Sequence, residues 1–183
     1  MEEKKITPQE IYPKLVEAVQ VFQVSLEHYS DEQFQYKNDE ETWSLGQMYE
    51  HICNASNYFF LANIVRCLEK RKGQIGGEKN QFGDNLYFYG GFPPRKFQVP
   101  EVIRPPEIVA KKREEYKPIL AKILEDAQKL IMPVTLDAGE YKCIQPAFGW
   151  LNAYEWFYLL EMHTRHHLRQ KIELEKFANV PLF

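Results

Sequence analysis

The segment Asn152-Ala153-Tyr154-Glu155-Trp156-Phe157-Tyr158-Leu159-Leu160-Glu161-Met162-His163-Thr164-Arg165-His166-His167-Leu168-Arg169-Gln170-Lys171-Ile172-Glu173-Leu174-Glu175-Lys176-Phe177 contains no glycine or proline and is rich in leucine, glutamate, histidine and aromatic residues. It reads as one long helix opening near Asn152, after Gly149. A three-four alternation links Trp156, Leu160, His163, His167, Gln170, Leu174 and Phe177 along one seam. A buried polar group without a partner costs roughly 1–3 kcal/mol. Two histidines in succession on an apolar seam therefore call for a metal ion or a hydrogen-bond network. Residues four apart lie one turn apart on the same face, so His163 and His167 can offer nitrogens to one ion. His166, three residues from His163, is the alternative partner, but it falls off the seam.

Three more helical patterns precede this one. Over about residues 7–28, Thr7 fits an N-cap and Pro8 the first helical position, and Ile11, Leu15, Val19, Phe22 and Leu26 form a stripe; Pro13 sits near the first turn. The second pattern opens at Ser44, where Ser44 and Gln47 form a capping box. It continues through Met48, Ile52, Ala55, Tyr58, Phe59, Ala62 and Val65 to about Lys70. The third covers about residues 106–130, with Ile108, Tyr116, Ile119, Leu120, Ile123 and Leu124, and Pro118 as a potential kink.

Between the second and third patterns, Gly73, Gly76, Gly77, Gly83, Gly90 and Gly91 precede Pro93, Pro94, Pro100, Pro105 and Pro106, so residues of about 72–106 read as one long connection. Its aromatics Phe82, Tyr87, Phe88, Tyr89, Phe92 and Phe97 predict packing across the helices. Strand signals are weak: residues 99–103 are interrupted by Pro100, residues 141–144 are short, and no sheet is expected. The chain is thus expected to be all-α, a single domain over residues 1–183. Its predicted architecture is a four-helix bundle with a long crossover connection between helices 2 and 3.

The 183 residues carry 23 Lys+Arg against 26 Asp+Glu, a net charge of −3, and no basic run is longer than Lys111-Lys112-Arg113. That excludes the electrostatic footprint of a nucleic-acid binder. The richest apolar stretch, residues 148–162, is broken by Asn152, Glu155 and Glu161, and the charged start Met1-Glu2-Glu3-Lys4-Lys5 leads into no apolar region. The expectation is a cytoplasmic protein with no membrane partner. Cys53, Cys67 and Cys143 form an odd, widely spaced set without a C-x-x-C pair, which argues against a disulfide framework and a cysteine zinc site; Cys53 and Cys67, inside helical patterns, read as buried thiols.

A third ligand is expected from a neighbouring helix. His51 qualifies, because the seam Met48, His51, Ala55, Tyr58, Ala62 and Val65 passes through it. Gln47, Asn54 and Gln170, each about a turn from a histidine, are candidates to orient the imidazoles, or are ordinary surface residues. Arg165 and Arg169 read as solvated or as residues at a pocket mouth, His28 as a surface residue, and Glu50 and Glu161, off the seam, as poor general bases. Neutral nitrogen ligands suit zinc, nickel, copper or iron, with zinc the intracellular default and manganese a further alternative. Three protein ligands leave a position open for water or substrate, as in catalytic sites. Neither H-E-x-x-H nor the E-x-x-H pairs of di-iron bundles occurs, and no phosphate cradle or nucleophile elbow is present.

Glu41-Thr42-Trp43-Ser44-Leu45-Gly46-Gln47-Met48-Tyr49-Glu50-His51-Ile52, together with Pro146-Ala147-Phe148-Gly149-Trp150-Leu151-Asn152-Ala153-Tyr154-Glu155-Trp156 and then His163-x-x-x-His167-x-x-Gln170, resembles the DinB-like superfamily. That family pairs a W-S-x-x-x-[IV]-x-x-H helix with a terminal H-x-x-x-H helix in a four-helix bundle; Met48 stands where the pattern has Ile or Val. The resemblance implies that His51, His163 and His167 bind a divalent metal. Members include metal-dependent thiol S-transferases, an isomerase and hydrolases, and many are homodimers. Three readings follow: a metal-dependent transferase or hydrolase with a small-molecule substrate, a non-catalytic metal-binding protein, or a dimeric interaction module with unmetallated histidines.

Overall fold

The structure, a computed structural model, describes residues 6–93 and 108–181. The charged start at residues 1–5, Phe97, the weak strand signal at 99–103 and the expected opening of the third helix at Pro106 lie outside the described residues.

Helix α1 (Pro8–Ser25) starts where Thr7 caps it: the Thr7 hydroxyl accepts from the Glu10 N–H while the Glu10 carboxylate accepts from the Thr7 N–H. A further turn reaches His28, and a short α2 (Asp31–Gln35) follows. Helix α3 (Leu45–Asn54) opens on the reciprocal Ser44–Gln47 box. It runs unbroken through a π-helical stretch, Ala55–Leu61, into α4 (Ala62–Leu68).

The π stretch changes which face of this helix is buried. Tyr58, placed on the stripe by its spacing, is 74% exposed, whereas Ser56, Phe60 and Ile64 are buried. Four residues of α-helix overshoot a full turn by about 40°. The wider π turn, bonded i to i+5, takes up that overshoot. Met48, Ile52, Ser56, Phe60 and Ile64, each four residues from the last, therefore all face the core.

The connection after α4, read from its glycines and prolines as one long link packed by its aromatics, holds secondary structure of its own. It contains β1 (Gln74–Ile75) and α5 (Gln81–Tyr89), which Asn80 caps at one end and Gly90, in the left-handed region at φ 61°, closes at the other. Its aromatics split into two groups. Tyr87 donates to the Glu155 carbonyl and Phe92 packs on Phe148, but Phe82, Phe88 and Tyr89 are exposed. Helix α6 (Tyr116–Leu136) begins and ends later than its pattern predicts, and Pro118 falls in its first turn, where no internal hydrogen bond is lost.

A small sheet corrects the all-helical expectation. Strands β1, β2 (Tyr141–Gln145) and β3 (Gly149–Asn152) pair antiparallel in that order, with Cys143 opposite Leu151. Strand β3 leads directly into α7 (Ala153–Phe177), which Asn152 caps in a reciprocal box with Glu155. The protein is thus mostly helical with a minor sheet. One continuous apolar core takes Ile11 and Phe22 from α1, Tyr49 and Ile52 from α3, Leu120 from α6 and Trp156 and Leu160 from α7. Among the described residues no helix is long and apolar enough to cross a membrane. Phe59 meets Trp156 while His51 meets His167, so α3 and its π extension run antiparallel to α7.

Candidate metal centre

This antiparallel crossing brings one turn of α3 against two turns of α7. His51 stands in the last turn of α3, just before the π stretch, and His163 and His167 stand one turn apart in the middle of α7. The Nε2 of His163 lies 3.1 Å from that of His51 and 3.1 Å from that of His167. One ligand atom from each of the three residues falls within 4.8 Å of the others, a group that can hold a metal ion.

The protons decide what this arrangement can do. Gln170 Oε1 accepts from His167 Nδ1–H at 2.7 Å, which leaves the His167 lone pair on the inward Nε2. The Nδ1 of His163 is buried and has no hydrogen-bond partner among the described residues. Each neutral imidazole brings one N–H and one lone pair, and both 3.1 Å contacts compete for the single Nε2 of His163. The rings therefore cannot satisfy one another, whereas a cation at their common point takes all three lone pairs at once. The donor set fits a divalent ion.

Burial keeps the rings in the neutral form that ligation requires. Desolvation, helped by the nearby His166, pushes His51 down to about 4, and desolvation with the field of His51 pushes His167 down to about 3. His163 is driven well below the ordinary imidazole value, first by desolvation and then by its two partners. Aromatic rings lie against two of the imidazoles: Trp43 is 4.9 Å from His51 and Phe60 4.8 Å from His163, centroid to centroid.

His166 stays outside the converging set and instead packs on Phe92 at 4.8 Å. Of the three polar neighbours, the structure brings only Gln170 to a histidine. Gln47 is occupied by the Ser44 cap and by donating to the Ile108 carbonyl at 2.9 Å, and Asn54 turns outward to donate to Glu50. Burial alone would raise the Glu50 carboxyl, but hydrogen bonds from Lys111, Tyr116 and Asn54 outweigh it and hold the group below its ordinary range. Glu161 is fully buried against Arg165. Arg165 is thus not simply solvated: it spans Glu161 and the Gly90 carbonyl.

Sequence spacing did not single out Phe60 or Phe92 as neighbours of the histidines. Phe60 reaches His163 only because the π stretch rotates it inward, which a 3.6-residue period does not foresee. Phe92 does carry a signal, since it directly follows the Gly90-Gly91 stop that anchors α5 on α7.

In the comparisons with known proteins, the family model described as the DinB superfamily matches residues 14–170, a span holding all three histidines. A comparison with curated proteins finds no match.

Proposed function

Because the chain belongs to the DinB superfamily and gathers three neutral imidazoles at one point, we propose that it is a divalent-metal-dependent enzyme of thiol S-transferase or hydrolase type, acting on a small molecule. The observation that carries the reading is the convergence of three Nε2 atoms that cannot satisfy one another. Three protein ligands leave coordination positions open, the pattern of a reactive site. When bound, the ion supplies Lewis-acid activation of a water or a thiol. Zinc is the first choice of ion, with nickel, iron and manganese as alternatives.

The chain's own residues prepare the site. His51, His163 and His167 would hold the ion. Gln170 holds the His167 proton on Nδ1, and Trp43 and Phe60 keep water from the rings. Glu50 and Glu161 are both engaged in ion pairs, so neither is the proton acceptor of this reading. The proposal includes a single domain in which the four long helical stretches form a bundle, a homodimer, and a reducing, cytoplasmic setting. The free, buried thiols of Cys53, Cys67 and Cys143 support that setting.

The test begins with protein purified without a histidine tag or chelator. Elemental analysis is expected to find about one divalent ion per chain, and a content far below one overturns the reading. A panel of thiol-transfer, amide-hydrolysis and ester-hydrolysis assays is expected to show a rate that disappears in His163→Ala. If no such rate exists, the enzymatic part falls and a non-catalytic metal-binding role remains.

A further inference from the structure

Three aromatic rings surround the imidazoles, and they differ in access. Phe60 is 3% exposed and closes the inner side, whereas Trp43 beside His51 and Phe92 beside His166 are half-buried and keep part of their faces to solvent. The Phe92 ring lies 4.8 Å from His166, 6.3 Å from His163 and 6.0 Å from Phe148. A further ring can join such a group edge-to-face or offset, at centroid separations of about 4.5–7 Å.

The backbone that carries Phe92 is fixed. Arg165 binds the fully buried Glu161 carboxylate through Nε at 2.6 Å and Nη2 at 3.2 Å, and the same Nη2 donates to the Gly90 carbonyl at 2.7 Å. A Cβ on Gly90 would meet the Tyr158 hydroxyl at 2.7 Å, and one on Gly91 would press on Arg165 Nη1 at 3.3 Å. Gly90 also needs its left-handed φ of 61°. A carboxylate removed from water is costly unless it is paired. The Glu161 carboxylate therefore keeps Arg165 as its partner, and the same guanidinium docks the Gly90 carbonyl on α7 beside the metal ligands.

We propose that Phe92 is a specificity-determining wall of this site, that it selects ligands carrying a flat aromatic group next to their metal-binding head, and that Arg165 is its positioning residue. The inference rests on the reading of His51, His163 and His167 as a metal centre.

The test uses the full chain loaded with cobalt(II) in place of the native ion. The cobalt absorption spectrum is followed during titration with benzyl mercaptan or with cyclohexylmethanethiol, two thiols with the same head and similar bulk of which only the first is flat. The unaltered protein is expected to bind benzyl mercaptan about fivefold to tenfold more tightly. Phe92→Leu, which keeps apolar bulk, is expected to bind the two within twofold of each other, and Phe92→Tyr to restore the preference. Arg165→Lys retains a cation for Glu161 but cannot make the same three contacts; it is expected to lower the preference while the affinity for cobalt holds. Equal binding of the two thiols by the unaltered protein, or a preference that survives in Phe92→Leu, overturns the assignment of Phe92 alone. Absence of any cobalt spectrum overturns the metal centre, and this proposal with it.

Discussion

Glu50 and His51 are consecutive residues on α3, yet one belongs to a closed polar cluster and the other to an open one. The Glu50 carboxylate accepts from Lys111, from Tyr116 at 2.9 Å and from Asn54 at 2.9 Å. Its charge is matched and its lone pairs are used. His51 meets two other imidazoles and, among the described residues, no counter-charge. The difference separates architecture from site: a satisfied buried group specifies packing, and a convergent unsatisfied one specifies a ligand.

The comparison breaks most visibly if the open cluster holds no ion. His163→Ala, which removes the nitrogen shared by both 3.1 Å contacts, is expected to reduce bound metal to background in elemental analysis, with the far-ultraviolet circular dichroism retained. A chain that still binds one ion would refute the geometry.

Acid should separate the clusters next. In the metal-free protein the imidazoles titrate near 6.5 when unfolded but at about 4 for His51 and about 3 for His167 when folded. These values are depressed on folding, so the stability they contribute is complete above pH 6.5 and is lost as pH falls. Between pH 6.5 and 5 the loss is about 2 kcal/mol for each of the two groups. Urea unfolding of chelator-treated protein at the two pH values measures it. The Glu50 carboxyl is also held down, so its contribution is lost only below its ordinary range, outside this window. A metal-free protein equally stable at both pH values would contradict the open reading.

A smaller effect is expected from Gln170→Ala. Freeing the His167 proton to move between nitrogens should weaken metal binding by about 10–100-fold in a competition titration, while stoichiometry at saturation stays near one. The smallest concerns the helix itself: Tyr58→Ser, at a 74% exposed position, is expected to change unfolding free energy by no more than about 0.5 kcal/mol, against several kcal/mol for Phe60→Ala.

That last contrast shows where the sequence was readable. The seam of α7 was legible because twenty-five residues keep one helical period without interruption, from the Asn152 cap onward. The capping box at Ser44 placed His51 on its helix for the same reason. Beyond Ala55 the period itself changes, and a stripe drawn at 3.6 residues per turn runs out onto the surface at Tyr58. The sheet escaped because its strands have two, five and four residues and one pairing joins segments far apart in sequence. The two-turn helix α5 did carry its marks, an asparagine cap and a glycine stop, but they stood inside a glycine-rich stretch that reads as loop. Gln170 followed from the seam, whereas the partners of Gln47 and Asn54 depend on contacts with Ile108 and Glu50 that spacing does not encode.

The small sheet also acts as a ruler. It ties the end of α4 to β3, the strand that flows into α7, through the Cys67 thiol on the Leu151 carbonyl, and ties the chain just after α4 to the neighbouring β2 through the Gly73 N–H on the Tyr141 hydroxyl. A helix that slipped by one residue would move about 1.5 Å along its axis, half the 3.1 Å that separates the facing nitrogens. The alignment of His51 with His163 is thus gauged from some distance along both helices. The surface around the histidines can be rebuilt by substitution while these few strand residues keep the two helices in step.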